Sequence, residues 1–253
     1  MKPCGERKEG EEESPMGFAD EMRAAADAAG IALTPAQVAD YETYYDLLIE
    51  WNEKMNLTAL TSPHDVAVKH IIDSLLAYDA RLFAGAPSVI DVGTGAGFPG
   101  LPLKIYAPGI RLTLMDALKK RVHFLETVTE ALHLEGVTCV HARAEEAARD
   151  RAYRERYDIA VSRAVARLPV LLEYTLPFVR QGGTLLALKG RQYQEEVDEA
   201  ARALKLLGGT LRDVRPVHLP GLDDVRAVII VRKERPTPRA YPRKAGTPAK
   251  KPL

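Results

Sequence analysis

Two strand-end carboxylates and a cluster of glycines carry the first chemical signal in this chain. Val89-Ile90-Asp91-Val92-Gly93-Thr94-Gly95-Ala96-Gly97-Phe98-Pro99-Gly100 is a β-branched run that ends in an acidic residue and enters a glycine-dense turn, with a helical pattern after it. A strand, a tight loop and a helix start, in that order, is where an α/β sheet holds a cofactor. Glycine is needed where the turn requires φ > 0 and where no side chain can stand between backbone and ligand. Leu112-Thr113-Leu114-Met115-Asp116 is a second apolar strand ending in a carboxylate, 19 positions past Gly97, able to accept from both hydroxyls of a ribose. A third strand end, Val140-His141-Ala142-Arg143-Ala144-Glu145, offers a polar side chain suited to an adenine amino group. Taken alone, Glu145 is equally well an ordinary carboxylate at a helix start. Three strand ends in register point together to a nucleoside-bearing cofactor.

Two fingerprints overlap in the loop. Gly95-Ala96-Gly97-Phe98-Pro99-Gly100 satisfies G-x-G-x-x-G, the dinucleotide pattern, which would make the chain an NAD(P)-dependent oxidoreductase. Phe98, Pro99 and Pro102 behind the loop suit a bulky turn better than a bare phosphate cradle. Asp91 to Gly97, an acidic residue followed by G-x-G-x-G, instead resembles the first motif of class I methyltransferases, whose S-adenosylmethionine carries no phosphate. Asp116 serves either reading. The third strand end favours S-adenosylmethionine, because nicotinamide enzymes have no regular counterpart to it.

The elements that must position these residues follow from periodicity. Helical patterning runs from Met16 to Gly30, a suitable C-terminal cap, and resumes at Thr34-Pro35-Ala36-Gln37, a capping box with proline at the first helical position. Val38, Tyr41, Tyr45, Leu48 and Trp51 recur at helical spacing, and Ser62-Pro63-His64-Asp65 opens another helix with Val68, Ile71, Ile72, Leu75 and Leu76 on its apolar side. The spacing then predicts strands at 88–92, 111–115, 137–140, 158–162 and 184–188, with helices at 100–107, 118–133, 145–152, 168–180 and 192–207. Such alternation implies right-handed βαβ units and a parallel sheet. Segments 210–217 and 225–232 flank a turn-rich linker and read as an antiparallel pair. An α/β fold of this kind, a mostly parallel sheet closed by a terminal antiparallel pair, resembles the seven-stranded Rossmann-like architecture of class I methyltransferases. Four regions result: a flexible charged amino terminus at 1–14, a helical cap at 15–85, a methyltransferase-like domain at 86–234, and a basic, proline-rich flexible tail at 235–253.

Composition sets the outer bounds. The chain has 253 residues, 46% of them hydrophobic, and a formal net charge of zero, so a polyanion must be met by a local patch rather than by the whole field. The first residues are charged and lack the apolar core of a signal peptide, and no run is apolar enough to span a bilayer, so a cytoplasmic location without membrane association is expected. Cys4 and Cys139 lie in unlike contexts, and the six histidines show no ligand spacing, so no metal is expected.

Several segments jointly resemble one family: Asn56-Leu57-Thr58, Val68-Lys69-His70-Ile71-Ile72-Asp73-Ser74-Leu75, Asp91 to Pro102, Asp116-Ala117-Leu118-Lys119-Lys120-Arg121-Val122, Ser162-Arg163-Ala164-Val165-Ala166 and Ala187-Leu188-Lys189-Gly190. It is the RsmG family, also called glucose-inhibited division protein B, the bacterial small-subunit rRNA guanine-N7 methyltransferases. The resemblance runs from about residue 20 to 234. It implies methyl transfer from S-adenosylmethionine to N7 of a guanine in the decoding-region (530) loop of 16S rRNA, with that RNA or the 30S subunit as partner. It also implies that Gly93 and Phe98 line the methionine side of the cofactor, Asp116-Ala117-Leu118 the ribose side and Ala144-Glu145 the adenine, while Arg163 reaches the cofactor carboxylate or the target base.

Guanine N7 is an unprotonated acceptor, so its attack on a methyl group needs no general base, only positioning. Arg163, Lys189, His70 and Asn56 are the positioning candidates. Lys119, Lys120 and Arg121 sit at a helix start, against the dipole, which hints at phosphate contact; a solvated helix face is the plain alternative. Arg167, Lys189 and Arg191 follow strand ends and are placed to face RNA. His70, three residues before Asp73, is expected to form a bracing His–Asp pair, and Asn56 either caps its loop or reads the base. Tyr41, Tyr44, Tyr45 and Trp51 read mostly as core rather than a stacking surface. A monomer is expected. The remaining rival is a non-catalytic rRNA-binding assembly protein on a degenerate cofactor fold.

Overall fold

A computed structural model describes residues 16–253, so the charged stretch 1–14, Cys4 included, lies outside the described residues. The amino-terminal part is helical. Helix α1 (Phe18–Ala28) buries Phe18 and Met22 and stops before Gly30 at φ +68°. Helix α2 (Pro35–Met55) begins with the expected capping box: Gln37 N donates to Thr34 Oγ1 at 3.2 Å and Thr34 N to Gln37 Oε1 at 2.9 Å. Tyr41 and Tyr44 on α2 are buried, their hydroxyls donating to the carbonyls of Pro102 and Ala96, so this part of the aromatic set is core. A short α3 (Pro63–Asp65) continues into a wide π-type turn over Val66–Ile72 and then α4 (Asp73–Leu75).

The sheet begins at β1 (Ser88–Val92), followed by α5 (Gly100–Tyr106), β2 (Arg111–Asp116), α6 (Lys119–Ala131), β3 (Val137–His141), α7 (Ala144–Ala147), β4 (Tyr157–Arg163) and α8 (Leu168–Thr175). After a 3₁₀ turn at Leu176–Phe178 come β5 (Val179–Lys189), α9 (Tyr193–Glu199), α10 (Ala201–Leu207), β6 (Gly209–Val217) and β7 (Arg226–Lys233), and α11 (Thr247–Lys250) closes the chain. The strand order is β3-β2-β1-β4-β5-β7-β6, with β1 to β5 parallel and β7 antiparallel to both its neighbours. The predicted terminal pair therefore forms, with β7 inserted between β5 and β6. Asp116, His141, Arg163 and Lys189 thereby end their strands, and Asp91 lies one residue from the end of β1, along one sheet edge, where an open α/β sheet binds ligands.

One apolar core lies between the sheet and the amino-terminal helices, centred on Leu48, Ile71, Leu101, Leu114 and Phe124. The other packs α8 and α10 on the opposite face around Leu171, Leu172, Phe178 and Leu207. The helices expected over 145–152 and 192–207 differ in extent: α7 is one turn, and the later span is broken at Ala200 into α9 and α10.

The carboxy-terminal segment corrects an expectation. Residues 235–253 do not form a flexible tail but cross the α7/α8 face. Thr237 is buried, Tyr241 and Leu253 pack against the second core, and Arg154 donates to the Thr237 and Tyr241 carbonyls at 2.7 and 2.9 Å. Arg243 forms a forked pair with Glu173 at 2.6 Å, that carboxylate being fully buried. The basic composition read as a solvated tail is thus partly spent on inward hydrogen bonds.

Candidate cofactor and RNA site

The glycine loop after β1 is fixed from several sides. Asp91 is fully buried; its Oδ2 accepts from Thr94 Oγ1 at 2.7 Å and from Gly100 N at 2.8 Å, while Oδ1 has no partner among the described residues. Burial pushes its carboxyl up to about 7 despite those two donors. Its role is to hold the loop. Tyr44 from the helical cap holds the loop carbonyl of Ala96, and a Cβ on Gly97 (φ +102°) would fall 2.4 Å from Leu101 Cδ1 and 2.7 Å from the Tyr44 hydroxyl. Only glycine lets the cap close on the loop there.

Beside the loop lies a cavity of about 190 Å³ lined by Gly93, Asp116, Ala117, Ala144, Glu145 and Tyr174, among others. It gathers five of the expected cofactor residues. Asp116 Oδ2 accepts from Gly95 N at 3.0 Å and Oδ1 from Leu118 N at 2.8 Å, which leaves each oxygen a further lone pair for a hydroxyl. Glu145 is buried and among the described residues takes a single hydrogen bond, from Gly246 N to Oε1 at 2.9 Å, so Oε2 is open to a donor. A cavity flanked by these two carboxylates and a bare glycine turn fits a nucleoside with an amino-acid arm. Asp91, Gly95, Gly97, Phe98 and Leu118 stand behind or beside the cavity rather than in its lining.

A second, larger cavity of about 510 Å³ adjoins the first at Val165, which lines both. Val165 also stands 2.6 Å from where a Gly93 Cβ would be, so Gly93 is the residue that admits it. The larger cavity collects Lys69, His70, Arg163, Arg167, Lys189 and Arg226. Each of its five Lys and Arg side chains has a carboxylate partner: Asp65 for Lys69 at 2.6 Å, Asp73 for Arg163 at 2.8 Å, Glu199 for Arg167 at 2.8 Å, Glu196 for Lys189 at 2.6 Å and Asp224 for Arg226 at 2.7 Å. The cavity is densely charged yet nearly neutral.

Arg163, which ends β4, meets the cap rather than open space: it pairs with Asp73, donates to the Lys69 carbonyl at 3.0 Å, reaches His70 Nδ1 at 3.2 Å and lies 4.9 Å over the Phe98 ring. The expected His70–Asp73 pair does not form, because the guanidinium stands between them and takes both. His70 Nδ1 lies 3.2 Å from Arg163 Nη2 and 3.3 Å from the Lys69 carbonyl, while Nε2 lies 2.8 Å from Thr58 Oγ1. Burial and the Arg163 charge lower its pKa to about 3, so the imidazole is neutral at physiological pH. Asn56 adopts a left-handed cap at the end of α2, the first of its two expected roles. Lys189 is buried, its pKa lowered by that burial, and its ammonium is held by Glu196 and the Ala166 carbonyl. Lys119, Lys120 and Arg191 are exposed and have no ion-pair partner among the described residues, whereas Arg121 leans toward Asp116 at 3.5 Å. The sequence does not mark Asp73, Arg226, Val165 or Tyr44 as site residues. Asp73 and Val165 lie within quoted motifs and Tyr44 within the aromatic set read as core; nothing local marks Arg226.

The sheet order with its antiparallel last strand, the glycine loop after β1 and the carboxylate at the end of β2 define a class I S-adenosylmethionine-dependent methyltransferase. Within that class the chain belongs to the family described as "GidB: rRNA small subunit methyltransferase G", whose profile matches residues 37–222. It is 48% identical over 224 residues to the ribosomal RNA small subunit methyltransferase G of Alkaliphilus metalliredigens (strain QYMF), covering 88% of this chain and 94% of that one. It is 51% identical over 223 residues to the protein of the same name from Desulfitobacterium hafniense (strain Y51), covering 88% and 92%. Among solved structures, a putative O-methyltransferase from Klebsiella pneumoniae superposes with a TM-score of 0.56 at 15% identity, covering 86% of this chain and 98% of that one. TYW2 from P. horikoshii in complex with MeSAdo gives 0.51 at 14% identity, covering 64% and 62%. At such identities these two bear on the fold alone. The oxidoreductase and non-catalytic readings fall with the family assignment.

Proposed function

We propose that this chain transfers a methyl group from S-adenosylmethionine to N7 of a guanine in the 530 loop of 16S rRNA, acting on that RNA or on the 30S subunit. The sulfonium cofactor supplies the electrophilic methyl. The chain's residues bind and aim: Asp116, with Ala117 and Leu118, receives the ribose; Glu145 and Ala144 border the adenine; and the loop of Gly93, Gly95 and Gly97, braced by Asp91 and Phe98, carries the methionine arm.

The observation that carries this reading is the charge-matched cavity across Val165. N7 gives up no proton when it is alkylated, so the base acquires positive charge in the transition state. A pocket whose Lys and Arg side chains are each matched by a carboxylate, beside a His70 kept neutral, tolerates that charge where five unpaired cations would oppose it. Arg163 and Lys189 are then positioning residues, and the phosphate contacts fall to Lys119, Lys120 and Arg191, with Arg121 and Arg167 at the margin. The rRNA substrate argues for a cytoplasmic enzyme, and among the described residues no helix is long and apolar enough to cross a membrane. A monomer is the proposed state, checked by light scattering. Incubating the protein with labelled S-adenosylmethionine and either 30S subunits or naked 16S rRNA tests the function. Label in at least one supports it, and no label in either refutes it.

A further inference from the structure

The small cavity has an outer wall made of two helices, which share the second apolar core through Ala147, Ala148, Leu168 and Leu171. Ala144 and Glu145 come from α7, a single turn, and Tyr174 comes from α8. The same stretch of the carboxy-terminal segment ties both. Gly246 N donates to Glu145 Oε1 at 2.9 Å, and three residues earlier Arg243 holds Glu173, the neighbour of Tyr174, through its backbone N and Nη2, each at 2.6 Å. Arg149, just past α7, donates to the Pro242 carbonyl at 2.6 Å. Glu145 takes no other hydrogen bond from the described residues, so the orientation of its free oxygen rests on Gly246.

We propose that residues 243–250 are a positioning brace for the cofactor: they fix the carboxylate of Glu145 and the α7/α8 wall in the binding geometry, so that docking of this segment and binding of the nucleoside end favour each other. The proposal rests on the cofactor assignment made above. Without the brace, Glu145 regains its rotamer freedom and must be ordered on binding. One long side chain so ordered weakens binding roughly three- to tenfold. The coupling is reciprocal, so the cofactor must stabilise the docked segment by the same factor.

The test pairs two measurements. In the intact protein, S-adenosylhomocysteine should slow amide exchange at Gly246 and across 244–250. In a chain ending after Arg243, the Kd for S-adenosylhomocysteine and the KM for S-adenosylmethionine should rise roughly three- to tenfold, with kcat at saturating cofactor unchanged. A truncated chain that melts cooperatively and keeps the intact Kd overturns the brace, as does a fall in kcat at constant KM. Should the truncated chain fail to fold, the exchange measurement decides alone: equal exchange with and without ligand refutes the coupling. Failure of the intact chain to bind S-adenosylhomocysteine at all would instead remove the cofactor reading itself.

Discussion

Removing Arg163 should unseat the helical cap from the sheet edge. Asp73 is 3% exposed, and its carboxylate meets Arg163 at 2.8 Å and Arg226 at 3.1 Å. Breaking a buried pair by deleting one partner costs about 3–5 kcal/mol when the remaining charge is orphaned. Here Arg226 remains, so Arg163→Ala should cost about 2–3 kcal/mol, including a fraction for the lost contact with the Phe98 ring. For a chain of this size that is a fall in Tm of about 4–12 °C. Urea melts of Arg163→Ala, Asp73→Ala and the double variant form a cycle in which the coupling should be at least about 1 kcal/mol, since the pair shares one desolvated site. The same substitution removes a charge that lowers the His70 pKa, so the ring, now near 3, should titrate at higher pH in proton NMR. Additive single losses below about 0.5 kcal/mol, with His70 unmoved, would mean that the cap is held by apolar contacts alone.

Other perturbations probe other parts of the site. Gly93→Ala puts a Cβ 2.6 Å from Val165 at a φ of +72°, so calorimetry should show S-adenosylhomocysteine binding at least about tenfold weaker in a folded protein. Asp91 is held at about 7, above its ordinary 3.8, so the unfolded chain releases that proton first and stability from this group falls as pH rises from about 4 to 7. His70 acts in the opposite sense, losing stability as pH falls from 6.5 toward 3, so the Asp91 slope is isolated by difference: Asp91→Asn should gain on the wild type across pH 4–7 in urea midpoints. Lys119→Ala with Lys120→Ala should weaken rRNA binding and flatten the plot of log K against log salt by about 1.4–1.8, leaving the Kd for S-adenosylhomocysteine unchanged.

What was legible in the sequence is what local rules govern. The capping box at Thr34, the five parallel strands and the carboxylates at their ends follow from period and punctuation, and the structure aligns them on one edge. Partnerships across the chain left no such mark. An arginine that ends an apolar strand needs a partner, but nothing local says that for Arg163 it is Asp73, 90 positions earlier. Lys189 reads as an RNA-facing lysine until Glu196 is seen on its ammonium. The wide turn at Val66–Ile72 has no proline or glycine to announce it, so the three-residue His70–Asp73 spacing reads as ordinary helical geometry. The carboxy-terminal segment shows the same limit: proline and basic residues suggest a solvated tail, but Tyr241, Thr237 and Arg243 each find a buried partner far away in sequence.

The central claim is that this chain methylates a single guanine at N7. Mass-spectrometric mapping of 16S rRNA from 30S subunits incubated with the protein and S-adenosylmethionine tests it most directly. The account predicts one new methyl, on a guanine of the 530 loop, that renders that position cleavable after borohydride and aniline. A methyl on a ribose oxygen, on an exocyclic amine or on any base outside that loop would contradict it.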